Sequence, residues 1–141
     1  MSAATLCLVN RERAARHLHL LHANPDLAHV AAAKVSSMVR GNYFADVGPS
    51  GRTPLSLVLA TRYPLGAPGV AIGQNLAWGT GPCATPEHIV TALMESPPHR
   101  EVMLSSEYRD AGVAATPAVP TVVGFGQAGA TYAIEFGVRI H

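Results

Sequence analysis

Charge is scarce in this chain, and lysine is nearly missing. Only 13% of the 141 residues are charged, and the formal net charge is +1. Lys34 is the one lysine; the other cations are arginines, scattered along the chain. No basic stripe forms, which removes the electrostatic case for nucleic acid. The arginine and alanine bias points to a GC-rich bacterial coding sequence. No apolar run approaches the roughly eighteen residues that a membrane span needs. Met1–Ala4 is too short for the charged start of a signal peptide. The apolar patch Leu6–Val9 is cut off at once by Asn10, Arg11, Glu12 and Arg13. The sequence as it stands therefore predicts either a cytoplasmic chain or an exported one whose signal has been removed.

Cysteine is equally sparse, with only Cys7 and Cys83. No C-x-x-C occurs, so a redox motif or zinc ribbon has no support. The two could close one bridge, which loop entropy alone would make worth roughly 4–5 kcal/mol. The alternative is two separate buried thiols, and spacing does not decide between them. H-E-x-x-H is missing, and Gly48-Pro49-Ser50-Gly51 lacks the spacing of a nucleophile elbow. No repeat or linker divides the chain, so residues 1–141 read as one domain. A hydrophobic content of 48% argues against disorder.

What is present is helix-start chemistry. Leu6, Val9, Ala14, Leu18 and Leu21 recur at helical spacing and predict a first helix over about 3–21, with Cys7 on its apolar face. Asn24-Pro25-Asp26 combines a cap, a first-turn proline and an acid at the positive helix end. Leu27, Val30, Ala31, Lys34, Val35 and Met38 then share one face. Residues 41–53 read as a loop. Thr53-Pro54 opens a short helix to about 63, and Thr85-Pro86-Glu87 opens another to about 95. Ser96-Pro97-Pro98 breaks that helix, and His99–Leu104 adds one more turn. Residues 70–78 read as a strand interrupted at Gly73, and 111–115 as another. At 131–139, Tyr132, Ile134, Phe136 and Val138 alternate with Ala133, Glu135 and Gly137, which predicts a strand with one face buried. The order of elements suits an α+β layered domain with an antiparallel sheet.

These blocks resemble the bacterial CAP domains (cysteine-rich secretory protein, antigen 5, pathogenesis-related 1). Leu8-Val9-Asn10-Arg11-Glu12-Arg13 resembles their L-x-N-x-x-R helix. Asn24-Pro25-Asp26-Leu27-Ala28 matches their second element. Tyr43-Phe44 with Pro49-Ser50-Gly51-Arg52-Thr53-Pro54 looks like their Y-F-S-H-x-x-P-D-G-R-S-P loop. Gly73-Gln74-Asn75-Leu76-Ala77-Trp78-Gly79 is similar to G-E-N-I-A-W-G. Thr85-Pro86 through Ser96-Pro97-Pro98-His99-Arg100 is similar to T-P-x-x-I-V-x-x-W-M-x-S-P-G-H-R. Ala111-Gly112-Val113 and Thr131–Gly137 resemble the closing strands. Seven blocks in order span nearly the whole chain. The resemblance implies a three-layer α-β-α sandwich with a central antiparallel sheet and a cleft. It also implies an extracellular or secreted protein.

Many members set two His and two Glu around that cleft, and the His pair can hold a divalent cation. Imidazoles suit zinc, and carboxylates add charge. This chain departs from the pattern. Asp46 stands where Y-F-S-H would put a His, and Gln74 where G-E-N would put a Glu. His99 keeps the imidazole of S-P-G-H-R, and Glu95 lies near the place of a second acid. Gln74 cannot ionise, so it is no general base and a weaker ligand. Asp46 with His99 could hold zinc, or magnesium or calcium, only with further donors. Asn75, Trp78, Ser96 and Arg100 read as structural members of the motifs, Arg100 pairing with Glu101, Glu107 or Asp110. Trp78 and Tyr63 read as core or cleft wall. His17, His19 and His22 read as a solvated helix end, since positions 17 and 19 point about 200° apart on a helix. The expectation is a non-catalytic binding module with a degenerate metal site, whose partner is a protein, a lipid or a cell-envelope component. The alternatives are a divalent-metal-dependent hydrolase or peptidase using Asp46 and His99, and a domain with no ligand.

Overall fold

Asn24 starts the longest helix by the means its side chain allows. In the computed structural model, which describes all of residues 1–141, Asn24 Oδ1 accepts from the N–H of Asp26 (3.0 Å) and of Leu27 (3.1 Å). Helix α2 then runs Pro25–Gly41 and buries the predicted face of Leu27, Val30, Ala31, Lys34, Val35 and Met38. Asn42 closes it in the left-handed conformation. The substitution Asn24→Ala is expected to cost about 1 kcal/mol, seen as a lower urea midpoint with an unchanged slope.

The other elements are α1 Ser2–Ala14, β1 His22–Ala23, α3 Pro54–Leu59, β2 Gly69–Thr80, α4 Pro86–Glu95, α5 Pro97–Met103, β3 Asp110–Thr116, α6 Thr121–Gly124 and β4 Gly129–Ile140. The sheet order is β1-β3-β4-β2. Strands β3, β4 and β2 are antiparallel, and the two-residue β1 adds parallel to β3. On one face, Val9 of α1, Ile89, Val90 and Leu93 of α4 and Met103 of α5 pack on Tyr132, Ile134 and Phe136. On the other, Ala31, Val35 and Met38 of α2 pack on Leu76, Ala114 and Ala133. This is the expected α-β-α sandwich. Gly112 lets α2 lie close on β3, because a Cβ there would meet the backbone of Leu27 and Ala28.

Helix α1 is shorter than its apolar spacing predicts. It ends at Ala14, and His17 turns the chain at φ 58°. The reason lies in Asn10 and Arg13, one helical turn apart on the same face. Asn10 Nδ2 donates to the Leu21 carbonyl (3.1 Å), and the Leu21 N–H donates back to Asn10 Oδ1 (2.8 Å). Arg13 is fully buried and donates to the carbonyls of His19 (2.8 Å), Met103 (2.9 Å), Ser105 (2.8 Å) and Tyr108 (3.3 Å). The two side chains hold residues 19–21 in an extended return instead of a further helical turn. The buried stripe of α1 is Thr5, Val9 and Arg13, not the leucines.

Further expectations are corrected here. Cys7 lies on the exposed face of α1 and Cys83 in an exposed 3-10 turn, both as free thiols, so no bridge forms and neither is buried. Strand β2 runs through Gly73 without interruption. A side chain there would strike Tyr108 and Val102, so glycine serves packing and not a break. Strand β4 is buried on both faces from Ala130 to Gly137, because it is central in the sheet and covered by helices on either side. His17, His19 and His22 are all exposed, as expected.

Candidate functional site

A cavity of about 400 Å³ lies against β2, at the edge of the sheet. Phe44, Ala45 and Asp46 form one wall, from the loop after α2. Pro98, His99 and Val102 of α5 form the other, and Gln74, Asn75 and Leu76 of β2 lie between. The structure thus brings Asp46, Gln74 and His99 around one concave surface. Each is placed by local chemistry. Ser96 precedes Pro97 at the start of α5, and its Oγ shares a hydrogen bond with His99 Nδ1 (2.7 Å). Asn75 is 2% exposed and donates from Nδ2 to the His99 carbonyl (3.0 Å). His99 is therefore held at ring and backbone, and Nε2 is its nitrogen without a protein partner. The Lys34 ammonium donates to the Asp46 carbonyl (2.8 Å) and lies 5.0 Å from the centre of the Tyr43 ring, which fixes the loop.

Beneath this surface sits a carboxyl that the alternation along β4 placed on an open face. Glu135 is Gln74's partner in the β2–β4 register, and Gln74 Nε2 donates to Glu135 Oε1 (2.6 Å). Glu135 is fully buried, and burial raises its pKa to about 7. The Gln74 hydrogen bond and the charge of Lys34 pull it down, and Asp46 adds to the rise. Two buried oxygens, Gln74 Oε1 and Glu135 Oε2, have no partner. One proton on the Glu135 carboxyl is the donor that this pair of acceptors lacks. Gln74 thus serves as the lid of a buried acid. A signal for Glu135 was available: its neighbours on that face are Ala133 and Gly137, small residues that suit a covered surface. Lys34 gave another, since a lysine inside an apolar stripe needs buried polar partners.

The remaining expected residues lie elsewhere. Glu95 is exposed at the last position of α4 and does not line the cavity. Trp78 is 38% exposed and also lies outside the cavity lining. Tyr63 is core: it is 1% exposed and donates to Asp110 Oδ2 (2.7 Å). Arg100 is exposed and makes no ion pair; the structural guanidinium is Arg13. The metal donor set is thin. His, Cys, Asp and Glu side chains gather nowhere in a group of three. The Lys34 ammonium takes the Asp46 backbone carbonyl, which removes that oxygen from a ligand set. The residues at this site do not fit a tightly bound divalent ion.

An α-β-α sandwich with a cleft along the free edge of its sheet, walled by the loop after the second helix and by a helix opening at Ser-Pro, defines the class of protein. The chain belongs to the CAP (cysteine-rich secretory protein) family, whose pattern matches residues 6–120. It is 31% identical over 106 residues to the Bacillus subtilis (strain 168) protein described as "Uncharacterized protein YkwD". That match covers 75% of this chain and 38% of the relative, so the chain spans well under half of that protein's length. Among solved structures, an outer surface protein from Borrelia burgdorferi superposes with a TM-score of 0.75 at 17% identity, covering 95% of this chain and 89% of that one. An extracellular SCP-domain protein from Bacillus anthracis superposes with a TM-score of 0.71 at 23% identity, covering 96% of this chain and 39% of that one. At those identities the likeness is one of fold.

Proposed function

We propose that this protein is an exported, non-catalytic binding module that takes its ligand in the cleft along β2. The observation that carries the reading is the meeting of Asp46, Gln74 and His99 on one open cavity whose only other acid, Glu135, is sealed below it. A ligand there meets a carboxylate, an imidazole nitrogen and the apolar surfaces of Phe44 and Val102. That mixture suits recognition. Export is supported by the surface and extracellular origin of the structural neighbours.

The hydrolase reading has one observation in its favour. A carboxyl with a pKa of about 7 is suited to general acid–base work. Glu135 has no exposed surface and lies under Gln74, so it does not reach a substrate in the cleft. Dialysed protein loaded with zinc is expected to retain none of it tightly. Asp46→Ala and His99→Ala should leave retention unchanged, read by elemental analysis. A small-fragment library screened by NMR should give shifts that cluster at residues 44–46, 74–76 and 98–102. Hydrolysis of labelled casein that vanishes in both Asp46→Ala and His99→Ala would overturn the non-catalytic reading.

A further inference from the structure

The outer edge of β2 has no partner strand, and the register of the sheet fixes which of its groups face outward. The Asn24 N–H donates to the Ala111 carbonyl (2.9 Å), so Ala111 faces β1. Gly112 therefore faces β4, where its register partner is Glu135. Ile134 and Phe136 then face β2 and meet Asn75 and Gly73. That alternation leaves Ile72, Gln74, Leu76 and Trp78 with their N–H and C=O groups pointing away from the sheet. Tyr108 Oη donates to the Ile72 carbonyl (3.0 Å), an independent sign of the same parity. No loop or side-chain group bonds to the backbone of Gln74, Leu76 or Trp78. Gln74 and Leu76 line the cavity itself.

We infer that the cleft takes an extended segment of a partner polypeptide, which adds to the β2 edge and sets a basic side chain against Asp46. The inference rests on the cleft-binding reading above and names its ligand class. Backbone donors and acceptors at Gln74 and Leu76 repeat at about 6.6 Å, the spacing of alternate residues in an extended chain. A peptide backbone matches that repeat group for group. The cleft walls then read alternate side chains. Phe44 and Val102 offer apolar contact. Asp46 is an exposed carboxylate, and Lys34 is bonded to its backbone carbonyl and not to its side chain. The charge complement is a cationic residue. A second copy of this chain is a poorer occupant, because its own β2 carries the same two walls on either side of the edge.

The probe is a capped heptapeptide, acetyl-Thr-Val-Thr-Arg-Thr-Val-Thr-amide, which sets Val, Arg and Val on one face of a strand. Its saturation should slow amide exchange of Gln74 and Leu76 by at least about tenfold, and leave Asn75, already bonded to β4, unchanged. Methylating each peptide nitrogen in turn should weaken binding by about tenfold at every second position and little between them. Asp46→Lys should lower affinity by about fivefold and favour the peptide with Glu at its centre. Uniform tolerance of methylation, or cleft shifts without protection of Gln74 and Leu76, would overturn strand addition and leave the cleft-binding reading intact. Peptides and fragments that all leave residues 44–46 and 98–102 unperturbed would sink both. A dimer in sedimentation whose contact protects Gln74 and Leu76 without peptide would replace the partner segment with a second copy.

Discussion

Arg13→Ala should destabilise the protein by at least about 3 kcal/mol, a large fraction of the total stability of a domain this size. The guanidinium is fully buried and its only partners are four backbone carbonyls, those of His19, Met103, Ser105 and Tyr108. Truncation leaves the carbonyls of His19, Met103 and Ser105 without the side-chain donor they have now, while that of Tyr108 keeps the Arg109 guanidinium at 3.1 Å, and each orphaned group costs about 1–3 kcal/mol. An apolar replacement does not rescue this site. A buried ion pair can be replaced at both ends by hydrophobic residues, but backbone carbonyls cannot be removed. Burial and the charge of Arg109 both press against the protonated guanidinium, so the four carbonyls must be its counterweight. Arg13→Lys should recover part of the loss, since an ammonium offers donors without the planar fork. The control is Arg16→Ala. Arg16 pairs with Glu12 at 2.9 Å on the surface, and its loss should be near neutral. Urea unfolding of the three variants checks the ranking. An Arg13→Ala as stable as Arg16→Ala would remove Arg13 from its role as the clasp between α1, the returning chain and the turn before β3.

Why the clasp was hard to read follows from the same chemistry. Helix starts were legible because a cap acts within three residues: Asn24, Thr53 and Thr85 each accept from the N–H that their spacing predicts. The end of α1 was not, because it is set by the bonds of Asn10 and Arg13 to the returning chain, and Arg13 is fixed in turn by carbonyls 90 or more residues away. The buried face of α2 was legible because one helix lies on one sheet. The faces of β4 were not, because alternation cannot tell a strand covered once from a strand covered twice. That ambiguity hid Glu135. The members of the cleft in the loop, on β2 and on α5 were visible through their motifs. The acid beneath them was visible only indirectly, as an out-of-place residue between Ala133 and Gly137 and through Lys34 in an apolar stripe. Glu95, a carboxylate at a plausible spacing, faces solvent instead.

The acid beneath the cleft should make stability fall as pH rises. Burial lifts the Glu135 pKa from 4.5 to about 7 in the folded chain, and unfolding returns it to the ordinary value. Between those values the folded state holds a proton that the unfolded chain has released. Stability from this group is thus complete below pH 4.5 and is lost as pH climbs through about 7. The shift corresponds to about 3 kcal/mol across that window. This runs opposite to the surface carboxylates that resist acid in most proteins, so it stands out as a difference between two chains. Glu135→Gln keeps the shape, cannot ionise and still meets the Gln74 amide. The variant should gain on the parent by about 3 kcal/mol from pH 4.5 to 8, with the two alike at the acid end. Urea midpoints measured at intervals across that range check it. Parallel profiles would mean that Glu135 ionises normally in the fold, and that solvent reaches it past Gln74. The companion change, Gln74→Glu, should steepen the same slope. It sets two carboxyls directly across a strand pair, where sharing one proton is the stable state and losing it leaves like charges in contact.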